Sequence, residues 1–189
     1  MAATRGACMD ESEAILIRRC QQGEKDAFAP IVRKYAGAAS GAAYMILGCY
    51  DEALDASQEA FVRAWRHIKR FDLALPFYPW YATILRNVCL GRLKARARRK
   101  TVALTDGHAD PHRDSNPVLL AERSEQRDRT WRAIMKLPLH HREVILMSHF
   151  EGMSYQQIAD ALRIPIGTVM SRLYNARRAL REKLAGEDP

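Results

Sequence analysis

The side chains with the clearest capacity for chemistry lie in residues 152–183, GMSYQQIADALRIPIGTVMSRLYNARRALREK. Val169, Leu173, Ala176 and Leu180 recur at i, i+4, i+7 and i+11, the spacing of one buried helical stripe. Thr168, Ser171, Arg172, Asn175 and Arg178 fall on another face of the same helix. Short hydrogen-bonding groups near a helix start, with guanidinium groups further along, suit the DNA major groove. The first turns meet base edges there and the arginines meet phosphates.

Such a helix has to be held by a partner, and the residues before it describe one. Ser154 and Gln157 are spaced as a capping box that starts a shorter helix with Ile158, Ala159 and Leu162 on its apolar face. Pro165 and Gly167 are expected to break that helix and turn the chain. The pattern also fits an amphipathic hairpin with a solvated basic face. Cap, turn and basic face falling together favour DNA binding.

The charge distribution agrees. The 189 residues carry 30 Lys and Arg against 22 Asp and Glu, a formal charge of +8, which favours a polyanionic partner. Six of the nine residues in 92–100 are basic, and 163–183 holds six bases and one acid. Residues 1–60, by contrast, hold nine acids and six bases. Other chemistries find little support. Cys8, Cys20, Cys49 and Cys89 lack metal-ligand spacing, and His108 and His112 stand four apart without partner ligands. No nucleophile–base pair, Gly-rich phosphate loop or metal cluster is spelled out. The chain therefore reads as no enzyme, without catalytic residues, metal or cofactor. It shows no signal peptide and no apolar run of membrane length, so a cytoplasmic, reduced protein without membrane insertion is expected.

Elsewhere the periodicity predicts helices throughout. Residues 12–22 form a short helix closed by Gly23, and Asp26 is expected to cap a helix reaching Gly48. Alanines and glycines in 36–43 suggest close helix–helix contact. In 51–70, acids crowd the start and bases the end, as the helix dipole favours. Leu54, Phe61, Trp65 and Ile68 are its expected buried stripe. Asp55, Gln58, Glu59, Val62 and Arg66 make a separate face that reads as solvated on periodicity alone. Residues 71–76, FDLALP, form a loop more apolar than solvent requires. A helix resumes at Phe77, with Pro79 tolerable in its first turn. There Tyr78, Trp80 and Tyr81 beside a basic run resemble a platform for single-stranded nucleic acid, although Trp80 alone also fits a core position. Residues 101–124 read as a linker, 125–137 as a helix, and 140–150 as another after Pro138.

Taken together, these stretches resemble a bacterial RNA polymerase sigma factor of the extracytoplasmic-function group. DASQEAFVRAW (55–65) is similar to the family's polymerase-binding helix, and FYPWYATILRNVCLGRLKARARR (77–99) to its promoter-melting segment. LPLHHREVILMSHFEGMSYQQIADALRIPIGTVMSRLYNARRAL (137–180) is similar to its promoter-reading helix-turn-helix. The resemblance covers residues 12–184. It implies an all-α chain of two small helical domains: region 2 at 12–100, a flexible linker at 101–124, and region 4 at 125–184. It implies docking on the beta-prime clamp of core RNA polymerase through Asp55, Gln58, Glu59 and Val62. It places Phe71, Asp72, Leu73, Ala74, Trp80, Asn87, Arg92, Arg96, Arg98 and Arg99 on the melted minus-ten element, where a flipped base must leave its stack to be read. Thr168, Met170, Ser171, Arg172, Asn175, Arg177 and Arg178 fall on the minus-thirty-five element. Met170 and Asn175 stand where the family often carries a basic residue. Promoter DNA, core polymerase and an anti-sigma factor are the implied partners.

Overall fold

Alanine sets the helix spacing in the first half of the chain. In the computed structural model, which describes residues 11–103 and 125–185, α2 (Phe28–Leu47) buries Ala39, Ala42 and Ala43. Helix α3 (Tyr50–His67) buries Ala53, Ala56, Ala60 and Ala64. Ser57 shares that face of α3, and its hydroxyl lies 3.5 Å from that of Ser40 on α2, inside the seam. The expected stripe on α3 is therefore corrected. Phe61 and Ile68 are buried, whereas Leu54 and Trp65 are only half-buried, because the closest contact is made by methyl groups and larger side chains flank it.

The large rings gather beside this seam. Phe28, Phe61, Phe77 and Tyr81 form a continuous cluster, with Phe61 stacked on Tyr81 at 4.4 Å and Phe28 edge-on to Phe77 at 6.4 Å. Tyr81 is fully buried and its hydroxyl donates to the Ser57 carbonyl at 3.2 Å. This docks α4 (Phe77–Ala103) on α3. Helix α1 (Glu11–Gln21) is held at both ends. The buried Glu13 carboxylate accepts from Lys34 Nζ and from Tyr35 Oη at 3.0 Å. Burial first, and then Glu13, push the Tyr35 hydroxyl up to about 12. At the other end the Gln21 amide donates to the carbonyls of Ile68 (3.0 Å) and Phe71 (2.8 Å).

Two sequence expectations change here. Asp26 does not cap α2, because it sits in a 3-10 turn (Lys25–Ala27) that runs directly into the helix. Ala27 is already helical at φ −66°, ψ −17°, so the extended residue a cap requires is absent. Helix α4 also runs to Ala103, three residues into the expected linker. The remainder of that linker, with His108 and His112, lies outside the described residues, as does Cys8.

The chain divides into two units, Met1–Arg113 and Asp114–Pro189. The described part of the second consists of α5 (Glu125–Met135), α6 (Leu139–Ile145), α7 (Tyr155–Leu162) and α8 (Ile166–Ala185). Its capping box is complete: Gln157 N donates to Ser154 Oγ at 3.2 Å, and Ser154 N to Gln157 Oε1 at 2.8 Å. The turn after α7 is made differently from expectation. Arg163 is left-handed at φ 54°, with Ile164 N bonded to Ala159 O and Arg163 N to Asp160 O, a Schellman closure. Pro165 then offers its carbonyl to Thr168 and Val169, so Gly167 belongs to the first turn of α8 rather than to the break. The helix expected over 140–150 instead ends at Ile145 and continues as a π turn, Leu146–Phe150, with Glu151 N bonded to Leu146 O. Among the described residues no strand occurs, and the fold is all-α.

Two substitutions test this packing. Ala60→Leu should lower stability by about 1–3 kcal/mol by overfilling the α2–α3 seam, read as a shifted denaturation midpoint. The second concerns Glu151, whose Oε2 is buried without a hydrogen bond and whose carboxyl burial pushes up to about 7. An acid raised in the folded state stabilises below its unfolded pKa, and that contribution is lost as pH rises through the folded value. The Glu151 contribution to stability should thus fall between about pH 4.5 and pH 7. Glu151→Gln should flatten that fall and melt above wild type at pH 8.

Candidate nucleic-acid interface and docking face

On α3, Asp55, Gln58, Val62 and Arg66 are exposed and Glu59 is half-buried, all on one face. Val62 is 51% exposed, an apolar centre that nothing in its own unit covers. Glu59 is not an idle surface carboxylate. Its Oε1 accepts from Arg63 at 2.6 Å and its Oε2 from Arg92 on α4 at 3.0 Å, and Asp55 lies 3.8 Å from Arg92. The hydrogen bond from Arg92, with that from Arg63, holds Glu59 below the usual carboxylate range. Arg92, expected on the melted minus-ten element, is thus engaged by the acidic face.

The other expected minus-ten residues divide in the same way. Trp80, Asn87 and Arg98 recur at helical spacing along one side of α4, with Ile84, Gly91 and Lys94 between them. Arg92, Arg96 and Arg99 lie on another side. Asn87, Lys94, Arg98 and Arg99 are exposed, while Trp80 and Arg96 are half-buried. Trp80 packs 4.8 Å from Phe71 and 5.6 Å from Phe77 and stays half-buried. Tyr78 stacks on Tyr35 at 4.9 Å. Tyr81 does not belong to the ring platform expected from sequence, since the aromatic cluster buries it completely.

The loop before α4 is anchored by Phe71, which is 5% exposed and packs against the core. It therefore positions the loop. Asp72 Oδ1 accepts from Ala74 N at 2.9 Å, and Leu75 N donates to Asp72 O at 3.0 Å. This tight turn leaves Asp72, Ala74 and Leu75 exposed and Leu73 half-buried. Leu75 was missed among the candidates. Its signal was the apolar content of FDLALP.

On α8, Met170, Ser171, Asn175, Arg177 and Arg178 are exposed, and Thr168 and Arg172 half-buried. Ser171 Oγ donates to Thr168 O at 3.1 Å, so its lone pairs face outward for a donor such as a base amino group. Arg177 Nε donates to His149 Nε2 at 3.2 Å, tying the π turn to α8. Burial, and then Arg177, hold His149 below its ordinary value, in keeping with a neutral acceptor ring. Arg178 faces Glu182 at 3.8 Å. Tyr174, 64% exposed, was also missed. It lies four residues from Met170 and Arg178 and three from Ser171, and a tyrosine in that spacing was its signal.

Among the described residues no cluster of His, Cys, Asp and Glu could hold a metal. Cys20 and Cys89 are buried thiols, and burial pushes Cys89 up to about 12. No described helix is long and apolar enough to cross a membrane.

Comparison with known proteins bears on both units. The Sigma-70 region 2 family matches residues 31–99, and Sigma-70 region 4 matches 127–180. The chain is 33% identical to the ECF RNA polymerase sigma factor SigW of Bacillus subtilis, over 89% of this chain and 94% of that one. It is 33% identical to the RNA polymerase sigma-H factor of Pseudomonas aeruginosa, over 92% and 94%. Among solved structures it resembles the sigma factor RpoE of Bartonella quintana, crystallised with the anti-sigma factor NepR, with a TM-score of 0.71, 26% identity, and coverage of 85% and 98%. It also resembles CnrH in complex with the cytosolic domain of CnrY, with a TM-score of 0.65, 25% identity, and coverage of 94% and 100%. With both regions matched in order and identity sustained along nearly the whole chain, this protein belongs to the extracytoplasmic-function sigma factors of bacterial RNA polymerase.

Proposed function

We propose that this chain joins core RNA polymerase through α3 and gives it promoter specificity, with α4 and its preceding loop taking the melted minus-ten strand and α8 reading the minus-thirty-five element. The observation that carries the reading is the α3 face. An otherwise basic protein displays Asp55, Gln58 and Glu59 around an exposed Val62. A polar rim around an apolar centre is the anatomy of a protein contact, and its carboxylates are unsuited to DNA. Residues 12–100 and 125–184 are the two working regions, and 101–124 connect them. The bond-making chemistry belongs to the polymerase, and this chain supplies recognition alone. Because the similar sigma factor RpoE is found bound to the anti-sigma factor NepR, and the similar CnrH to the cytosolic domain of CnrY, an anti-sigma factor is proposed to hold this chain inactive. Its work on chromosomal DNA places it in the cytoplasm.

Neither region should bind duplex DNA tightly alone. One reading helix meets a single stretch of groove, and single modules have non-specific dissociation constants of about 10⁻⁴–10⁻⁶ M at physiological salt. The strand-binding face of α4 finds no open strand on a duplex. In gel-shift titration, addition of core polymerase should therefore create tight, sequence-dependent binding. Nanomolar binding by the protein alone, as a dimer, would identify a free-standing regulator instead.

Asp55→Ala with Glu59→Ala should weaken co-purification with core polymerase by about 1–3 kcal/mol per lost charged contact. The fold should survive, since the Glu59 pairs within the chain are solvent-screened and worth about 1 kcal/mol or less each. Wild-type recovery of polymerase by the double variant would remove α3 as the docking face.

A further inference from the structure

Gly91 stands well inside α4, where glycine lowers helix stability relative to alanine. Nothing in the fold requires it. Its φ is not positive, and a Cβ built on it would meet no atom within 4 Å. The residue is exposed. Its neighbours along the helix surface are Asn87 four residues earlier and Lys94 three residues later, with Ile84 and Arg98 a further turn away on either side. A bare patch of helix backbone thus lies between an exposed amide and two exposed ammonium and guanidinium groups that make no ion pair among the described residues. The same glycine is poor at holding the helix and well suited to letting another chain touch it.

From this we propose that Gly91 is the point where the sugar–phosphate backbone of the opened promoter strand crosses α4. The missing Cβ lets a sugar reach the helix backbone in van der Waals contact, while Lys94 and Arg98 hold the adjoining phosphates and Asn87 meets a base on the other side. This deepens the minus-ten assignment above and rests on it. A single strand fits the patch better than a protein surface does, because the flanking charges are all positive and the gap is one residue wide.

Glycines elsewhere supply the control. Gly41 on α2 is also helical with open space at its Cβ position, on a helix that carries none of the expected DNA contacts. The test uses the full chain with core polymerase and a mapped promoter prepared with a mismatched bubble over its minus-ten element. Gly91→Ala should raise the unfolding midpoint of the free protein by roughly 3–6 °C and weaken binding to the bubble by about tenfold. Gly41→Ala should give the rise without the weakening. If Lys94→Ala with Arg98→Ala weakens binding but Gly91→Ala does not, the crossing at Gly91 is wrong and the face stands. If neither weakens it, the strand-binding role of this face falls as well. Equal weakening by Gly41→Ala, or a lower midpoint for Gly91→Ala, would also overturn the proposal.

Discussion

Because alanines line the contact between α2 and α3, there is no room in that seam for a large side chain, and the rest of the first unit follows from this constraint. The rings of Phe28, Phe61, Phe77 and Tyr81 have to pack beside the seam rather than in it. That is the place where α4 begins. Phe77 and Tyr81, fully buried there, fix the helix start, and Phe71 closes the cluster from the loop side at 5.8 Å from Phe77. What remains for solvent on α4 is the opposite side, with Trp80 half out of the cluster and Asn87 and Arg98 beyond it. The face proposed for the opened strand is therefore the remainder left by packing, and the turns from Phe77 to Cys89 that carry its first part also carry the buried Tyr81, Leu85 and Val88.

Charge is arranged on the same scaffold with a similar economy. The basic run at the end of α4 is not a uniform patch, because Arg92 is turned toward Glu59 and Asp55 while Lys94 and Arg98 are left outward. One guanidinium thus links the helix proposed for docking to the helix proposed for the opened strand. The pair is partly exposed, so its value lies less in stability than in orientation. It holds the Glu59 carboxylate in a set position before any partner arrives, and pre-ordering a charged group reduces what association must supply in entropy.

Much of this was legible in the sequence, for reasons that differ from residue to residue. The capping box at Ser154 and Gln157 is a local reciprocal bond, and local chemistry survives folding unchanged. Of the stripe expected on α8, Val169, Leu173 and Ala176 are buried as the spacing implies, whereas Leu180 near the helix end is only half-buried. The α3 seam was misread because periodicity weights large apolar residues, and alanine is equally at home in a seam or on a surface. Tyr81 was misread because aromatic rings beside a basic run resemble a stacking platform, and only the Ser57 carbonyl, distant in sequence, shows that this ring points into the core. The engagement of Arg92 by Glu59 is likewise a contact between residues far apart in the chain. The π turn after α6 has no sequence signal of its own, since Leu146–Phe150 continues a helical pattern.

The helix-turn-helix shows how much of recognition is backbone geometry. Turn chemistry in the sequence points at Pro165 and Gly167, yet the residue that reverses the chain is Arg163, in a conformation that disfavours side chains by about 1–2 kcal/mol. That cost is tolerable because two backbone bonds to Ala159 and Asp160 close the end of α7. The direction in which α8 leaves is then set by hydrogen bonds rather than by the identity of its exposed residues. Side chains on the exposed face of α8 are free to vary without moving the helix. On the proposed reading, Met170, Asn175 and Tyr174 depart from a purely basic surface and change which bases are favoured, while the turn and the buried stripe keep the direction of the helix. Specificity and placement are separable in this unit, and the separation is made at Arg163.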